Sequence, residues 1–257
     1  MLFLLSPAKT LDFKTPSPFK AQSTPPFVSE SAELINVLKT KSVADIAALM
    51  ALSDPLAALN VGRYGVWSPR FTARNSKAAL FAFNGDVYEG LDASTLSAGD
   101  VRWAHQHLAI LSGLYGVLRP LDRMQAYRLE MGIALENSRG KNLYAFWGDT
   151  IALHLNQRVQ TDASPVIVNL ASQEYFKAAN RKALKPRVIE CVFEDWKTDG
   201  YKVIGFFAKR ARGLMVRHAI TQRVGTPEGL KGFAAEGYSY AQSVSEPDRV
   251  VFRRRVV

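Results

Sequence analysis

Seven short apolar runs, rich in branched and aromatic residues, recur along the chain: LFLL at 2–5, AALFAF at 78–83, LAIL at 108–111, VIVNL at 166–170, VIECVF at 188–193, YKVIGFF at 201–207 and RVVF at 249–252. Runs of this length and composition predict buried strands. The intervening segments 30–39, 43–52, 146–160 and 209–220 are amphipathic or open on a cap residue, which predicts helices. Strands separated by helices give a mixed α/β (α+β) fold, read here as a single large domain over 1–257. Residues 13–31 carry Pro16, Pro18, Pro25 and Pro26 and are expected to be extended, without ladder hydrogen bonds.

Several predicted strands end in similar chemistry. LFLL leads into SPAKT, LFAF into NGDVYEG, LAIL into SGLYGVLRP, VIVNL into ASQEY and VIGFF into AKRARG. Each tip mixes small residues, which let a ligand approach the backbone, with hydroxyl, amide or charged groups. In open α/β sheets ligands bind beyond the carboxyl ends of the strands. If the tips share one edge, then Lys9, Thr10, Asp86, Tyr115, Arg119, Ser172, Lys209 and Arg212 line one cleft. For any single tip, Gly, Ser and Asn acting only as turn formers is the more economical account, and the case for a cleft rests on five similar tips together.

The segment 209–220 opens on cations, against the helix dipole. On a helical wheel Lys209, Arg210, Arg212 and Arg217 share an arc centred near Gly213, with Ala211, Leu214, Met215, His218 and Ala219 opposite. A mid-helix glycine implies close approach of something, either a phosphate or a neighbouring element. His218, on the apolar side, is expected to pack rather than to bind a ligand.

Charge sharpens this picture. The chain holds 33 Lys and Arg against 23 Asp and Glu, a net +10. Residues 196–257 carry 12 basic against 5 acidic residues, so most of the surplus sits there. A phosphate-rich partner such as DNA fits that balance, as does a generic basic surface. The single cysteine, Cys191, cannot form an internal disulfide and reads as a small buried apolar residue. The opening MLFLLSPAKT lacks a basic leader, and no apolar run approaches the ~20 residues that span a bilayer, so a cytoplasmic protein without membrane contact is expected.

The motifs MLFLLSPAKTLDF, FNGDVYEGL, LSGLYGVLRPLD, YRLEMG, LYAFWGD, NLASQEYFK, AKRARGLM and GFAAEGYSY stand in order from Met1 to about Tyr240. In them the chain resembles the YaaA peroxide-stress protein family. The resemblance implies a bacterial cytoplasmic protein linked to survival of hydrogen peroxide and to keeping reactive iron low. It also implies a DNA-binding protein with a family-specific mixed α/β fold, a basic cleft and a helix-hairpin-helix element. That element maps onto Ser42 to Trp67: a helix to about Leu52, a turn at Ser53-Asp54, and a second helix with Pro55 at its first position and Asp54 as cap. Asp54 would repel an anion and Pro55 has no N–H, so this turn is a poor phosphate seat; Arg63, Arg70, Arg74 and Lys77 lie just beyond.

The candidate anion-binding residues are therefore Lys9, Thr10, Arg119, Lys209, Arg210, Arg212, Arg217, Arg63 and Arg74. PAKT has the lysine and threonine of a phosphate loop without its glycines. His105 and His107 are two apart and diverge, no Cys or His cluster suits a metal, and no cofactor motif is present. Asp86, Glu130 and Glu174 are the candidate proton-transfer residues, with Asp149 nearby in sequence pattern and Tyr88, Tyr115, Tyr127 and Tyr175 beside them. For these carboxylates structural pairing, as in Arg128 with Glu130 or Arg119 with Asp122, is the competing account. Two functions stay open: a DNA-binding protein contacting double-stranded or structured DNA, or an enzyme acting on a nucleotide or nucleic-acid base. A tail patch at Arg253 to Arg255 is either an auxiliary contact or a strand with alternating faces.

Overall fold

The computed structural model describes residues 1–162 and 165–255. Eight strands form the main sheet: β1 (Leu2–Leu5), β2 (Leu108–Ser112), β3 (Gly116–Leu118), β4 (Val166–Asn169), β5 (Arg187–Lys197), β6 (Gly200–Lys202), β7 (Ser239–Tyr240) and β8 (Arg249–Arg254). Their order is β7-β8-β5-β4-β1-β2-β3, with β6 also paired to β5. The five central strands β8, β5, β4, β1 and β2 run parallel, while β3, β6 and β7 pair antiparallel. Strands buried on both faces should be apolar at every position. This holds for β1, whose four residues are all buried, and β2, whose five are all buried.

Five of the seven predicted strands lie in this sheet. AALFAF does not: Lys77–Ala78 and Phe83–Asn84 belong to two-residue ribbons, with a helical turn Ala79–Ala82 between them. YKVIGFF is split, since β6 ends at Lys202 and a helix begins at Gly205. The buried stripe Ala208, Ala211, Met215 and Ala219 sets the period of that helix, and Phe206 and Phe207 complete its first turn as exposed residues. The predicted helix 146–160 breaks at Gly148, φ +47°, into Leu143–Trp147 and Thr150–Val159.

Four helices bear on the candidate anion contacts: α1 (Val43–Met50), α2 (Asp54–Val66), α3 (Asp86–Leu91) and α4 (Gly205–Thr221), of which the last two pack as one unit. A capping box between Ser42 and Asp45 starts α1, and Ala51 ends it in the left-handed region, φ +50°. The α1 and α2 axes are bent by 111°. The cap of α2 is Ser53, not Asp54, which is already helical. No single helix among the described residues is long and apolar enough to cross a membrane.

The cationic arc of α4 has α3 against its centre. A Cβ on Gly213 would lie 1.8 Å from the Val87 carbonyl oxygen, and one on Gly90 would lie 2.2 Å from the Arg210 carbonyl oxygen. The two backbones therefore touch, and Gly213 accommodates a neighbouring helix instead of a phosphate. Arg217 donates to the Leu91 and Asp92 carbonyls at 3.0 and 2.9 Å, satisfying the carboxyl end of α3. Since the helix starts four residues before Lys209, its cations do not sit on its first turn.

Replacing Gly213 with Ala must push backbone from backbone, so we expect a loss of at least about 2 kcal/mol in urea unfolding. Gly62, within α2 and with nothing within 4 Å of its missing Cβ, is the matched control. Gly62→Ala is expected to stabilise by about 0.5–1 kcal/mol.

Candidate functional site

The carboxyl ends of β1 and β4 are tied together. Leu170 N–H donates to the Leu4 carbonyl at 3.0 Å, extending the pairing, and Ser172 N–H donates to Ser6 Oγ at 2.8 Å. Tyr88 of α3 donates from its hydroxyl to the Ser6 carbonyl at 3.1 Å. Beyond these tips opens a cavity of about 490 Å³, lined by Ser6–Thr10, Asn84–Val87, Tyr127–Glu130, Ser172, Glu174, Tyr175, Lys209 and Arg212. Its size falls in the range of about 300–1,000 Å³ usual for small-molecule sites.

The structure brings Lys9, Thr10, Asp86, Glu130, Ser172, Glu174, Lys209 and Arg212 to this one cavity. The remaining candidates lie elsewhere. Tyr115 is fully buried and its hydroxyl accepts from Trp67 Nε1 at 3.0 Å. Arg119 is held by the buried Asp122, its Nε 3.3 Å from Oδ1. Arg210 grips Glu236, with Nη2 2.6 Å from Oε1. Arg217 caps α3, Arg63 donates to Asn60 Oδ1 at 3.0 Å, and Arg74 is an exposed loop residue. Lys77 is spent on the Asp12 and Thr15 carbonyls, and Asp149 lies 3.8 Å from Arg181. The tail patch is a strand: Arg253 pairs with Glu194 at 2.9 Å and Arg254 with Asp195 at 2.6 Å, while Val256 and Val257 lie outside the described residues. His105 Nδ1 accepts from Leu121 N–H, His107 stacks on Trp103, and His218 packs edge-on against Phe233. Among the described residues no three His, Cys, Asp or Glu side chains gather as metal ligands.

The cavity is mixed in charge rather than uniformly basic: Lys9, Arg128, Lys209 and Arg212 meet Asp86, Glu130 and Glu174. The cations differ in how firmly they are engaged. Arg128 is committed to Glu130 Oε1 through Nε and Nη2, at 3.1 and 3.0 Å. Lys9 and Lys209 are exposed and only loosely paired, 3.5 Å from Glu130 and 3.9 Å from Asp86. Arg212 makes no hydrogen bond or ion pair with the described residues, and burial pulls its pKa below the usual guanidinium value.

Glu130 reaches the cavity because of Gly113, at the tip of β2. A Cβ there would stand 2.2 Å from the Leu129 carbonyl oxygen, so only glycine lets the irregular segment Tyr127–Glu130 lie across the strand end. Tyr127 anchors that segment through its hydroxyl, 2.6 Å from Ser112 Oγ, and the Arg128 carbonyl accepts from the Tyr64 hydroxyl. Glu130 is 9% exposed, and its Oε2 has no partner. A buried acceptor left open costs about 1–3 kcal/mol. Glu174 is better satisfied, its Oε1 accepting from Gly132 N–H at 2.9 Å. The sequence shows Arg128 as a charge partner for Glu130, but the apolar walls Pro7, Val87 and Leu129 carry no sequence signal.

Similarity to known proteins extends over nearly the whole chain. A family model described as peroxide stress protein YaaA matches residues 1–244. The chain belongs to this family. A UPF0246 protein of Paracidovorax citrulli is 64% identical over 256 residues, covering 99% of both chains. UPF0246 proteins of Polaromonas naphthalenivorans and Verminephrobacter eiseniae are 65% and 62% identical, each over 99% of this chain and 98% of the relative. A role in peroxide stress is thereby supported.

That role is not matched by an exposed reactive thiol. Cys191 is buried in β5, and burial pushes its thiol up to about 12. Iodoacetamide is expected to leave the native protein unmodified at pH 7.5 and to add one carbamidomethyl group in urea, as read by intact mass. Rapid native labelling would contradict this burial.

Proposed function

We propose that this family member is a DNA-binding protein of the peroxide response, acting where reactive iron and oxidative damage are limited, and that the cavity beyond β1 and β4 receives the phosphate of its nucleic acid. The observation that carries this reading is Arg212, a half-buried guanidinium with no acceptor among the described residues, flanked by the loosely paired Lys9 and Lys209. Arginine lining an open cavity with no hydrogen-bonded or paired carboxylate, Glu190 acting on it only at longer range, is suited to fork-like binding of an oxyanion. The turn between α1 and α2 offers no anion seat, because Asp54 is acidic and Pro55 lacks an N–H.

If three cations each neutralise one phosphate, duplex binding should weaken with salt along a log-log slope of about −2 to −3. Arg212→Ala and Lys209→Ala are each expected to reduce affinity for all sequences alike and to make that slope shallower by about one unit. Arg187, paired to Asp248 at 2.6 Å, is the control, and Arg187→Ala should change neither quantity. A salt-independent affinity would overturn the reading.

A second reading is favoured by the gathering of Asp86, Glu130 and Glu174 around the same cations: an enzyme processing a nucleotide or nucleic-acid base. Incubation of pure protein with a nucleotide and oligonucleotide panel, followed by mass analysis, is expected to show converted product under this reading and unchanged substrate under the first.

A further inference from the structure

Two phenylalanines in the first turn of α4 stand in solvent. Phe206 and Phe207 are 57% and 40% exposed, although the helix they begin buries Ala208, Ala211 and Met215. Rings left in water forgo the burial that apolar side chains of this size usually obtain, so contact with a partner is their natural use. They do not make a flat apolar face of the kind that suits a helix or a lipid surface, because the two rings meet edge-on at 5.7 Å and 65°. One face of Phe207 is taken by the Arg254 guanidinium, 4.7 Å from the ring centroid. Among the described residues no cation lies over Phe206, the more exposed of the two.

Positive charge continues from this ring along the helix. Lys209 is three residues on, a spacing that makes the two side chains neighbours on the helix surface, about 5–6 Å apart at Cβ. Its ammonium is exposed and held only at 3.9 Å by Asp86. Arg212, a further three residues on, lines the cavity together with Lys209. An open aromatic ring followed by available cations is the combination that holds unpaired strands: a base stacks on the ring while the backbone tracks the cations. Resting on the proposal that Lys209 and Arg212 receive the phosphate of a nucleic acid, we infer that Phe206 is a stacking platform for an unpaired base of a single strand passing beside the cavity. In a duplex both faces of each base are covered by its neighbours, so the platform serves only a strand that has lost its pairing. Every base has a face to offer, and Phe206 therefore reads strand state and not sequence.

The test measures, by fluorescence anisotropy on the full chain, binding of a deoxythymidine dodecamer, an abasic dodecamer carrying the same phosphates, and a duplex of the same length. The base-bearing strand is expected to bind at least about fivefold tighter than the abasic one. Phe206→Leu keeps an apolar side chain but removes the ring, so it should erase that preference and leave the salt slope unchanged, whereas Phe206→Trp should keep the preference. Leu153, 52% exposed on the helix Thr150–Val159, is the control, and Leu153→Ala should change nothing. Equal binding of the base-bearing and abasic strands, a preference that survives Phe206→Leu, or duplex binding weakened as much as single-strand binding overturns the inference and leaves the phosphate reading standing. Phe206-dependent dimerisation in sedimentation, or Phe206-dependent binding to anionic phospholipid vesicles, without any base preference, assigns the ring to a second copy or a membrane surface and overturns it as well. Failure of all three nucleic acids to bind overturns both readings.

Discussion

Contact between two helical backbones holds the site together. With no side chain on Gly213 or Gly90, α4 settles onto α3 until carbonyl oxygens occupy the space where Cβ atoms would stand. This contact fixes α4 over the carboxyl ends of β1 and β4, and Lys209 and Arg212 reach the cavity from that position. Arg217 locks the other end of the pair by filling the open carbonyls of α3. The same device recurs at Gly113, where a missing Cβ lets Leu129 cross the tip of β2 and delivers Glu130. Cations and carboxylate thus meet through backbone proximity, which transmits position more rigidly than a chain of side-chain contacts.

Charge counting and charge availability diverge in this molecule. The carboxyl-terminal region holds most of the net positive charge, yet Arg210, Arg223, Lys231, Arg253 and Arg254 are each paired with a carboxylate. Arg254 and Asp195 are buried, and the other pairs, which are more open, add little stability, but all of them reduce the field available to an outside polyanion. Of the candidate cations, the loosely engaged Lys9, Lys209 and Arg212 gather at one cavity that also contains acids. A site built this way distinguishes ligands by where their charges lie, whereas a uniformly basic groove would attract any polyanion.

Much of the sheet is legible in the sequence because strands buried on both sides leave unbroken apolar runs, and LFLL, LAIL and VIVNL are such runs. The convergence of their tips follows from parallel topology, which is why the residue pattern alone puts Lys9 and Ser172 together. YKVIGFF misleads because a strand and the first turn of a helix are joined without a polar break, and its two phenylalanines are exposed. The arc of cations on α4 is correct as geometry, but one sequence does not reveal that a helix already lies against its centre. Tyr115 and Arg119 fail for a related reason: SGLYGVLRP has the composition of a tip, while Trp67 and Asp122 draw its polar atoms inward. The role of Gly113 depends on a residue sixteen positions away meeting its backbone, and no local periodicity encodes that.

Dimensions constrain how such a cavity meets DNA. A duplex is far wider than a space of about 490 Å³, so base pairs cannot enter it intact. A phosphate at the mouth can reach the exposed Lys9 and Lys209 and the half-buried Arg212, while Glu130, 9% exposed, lies deeper, where only something narrower fits. A strand end, an unpaired nucleotide or a free mononucleotide meets that requirement, and extruding a base from damaged or mismatched DNA costs less than from an intact helix. In the proposed reading Lys9, Lys209 and Arg212 therefore attract a backbone regardless of sequence, and only a nucleotide that has left its stack enters the cavity itself.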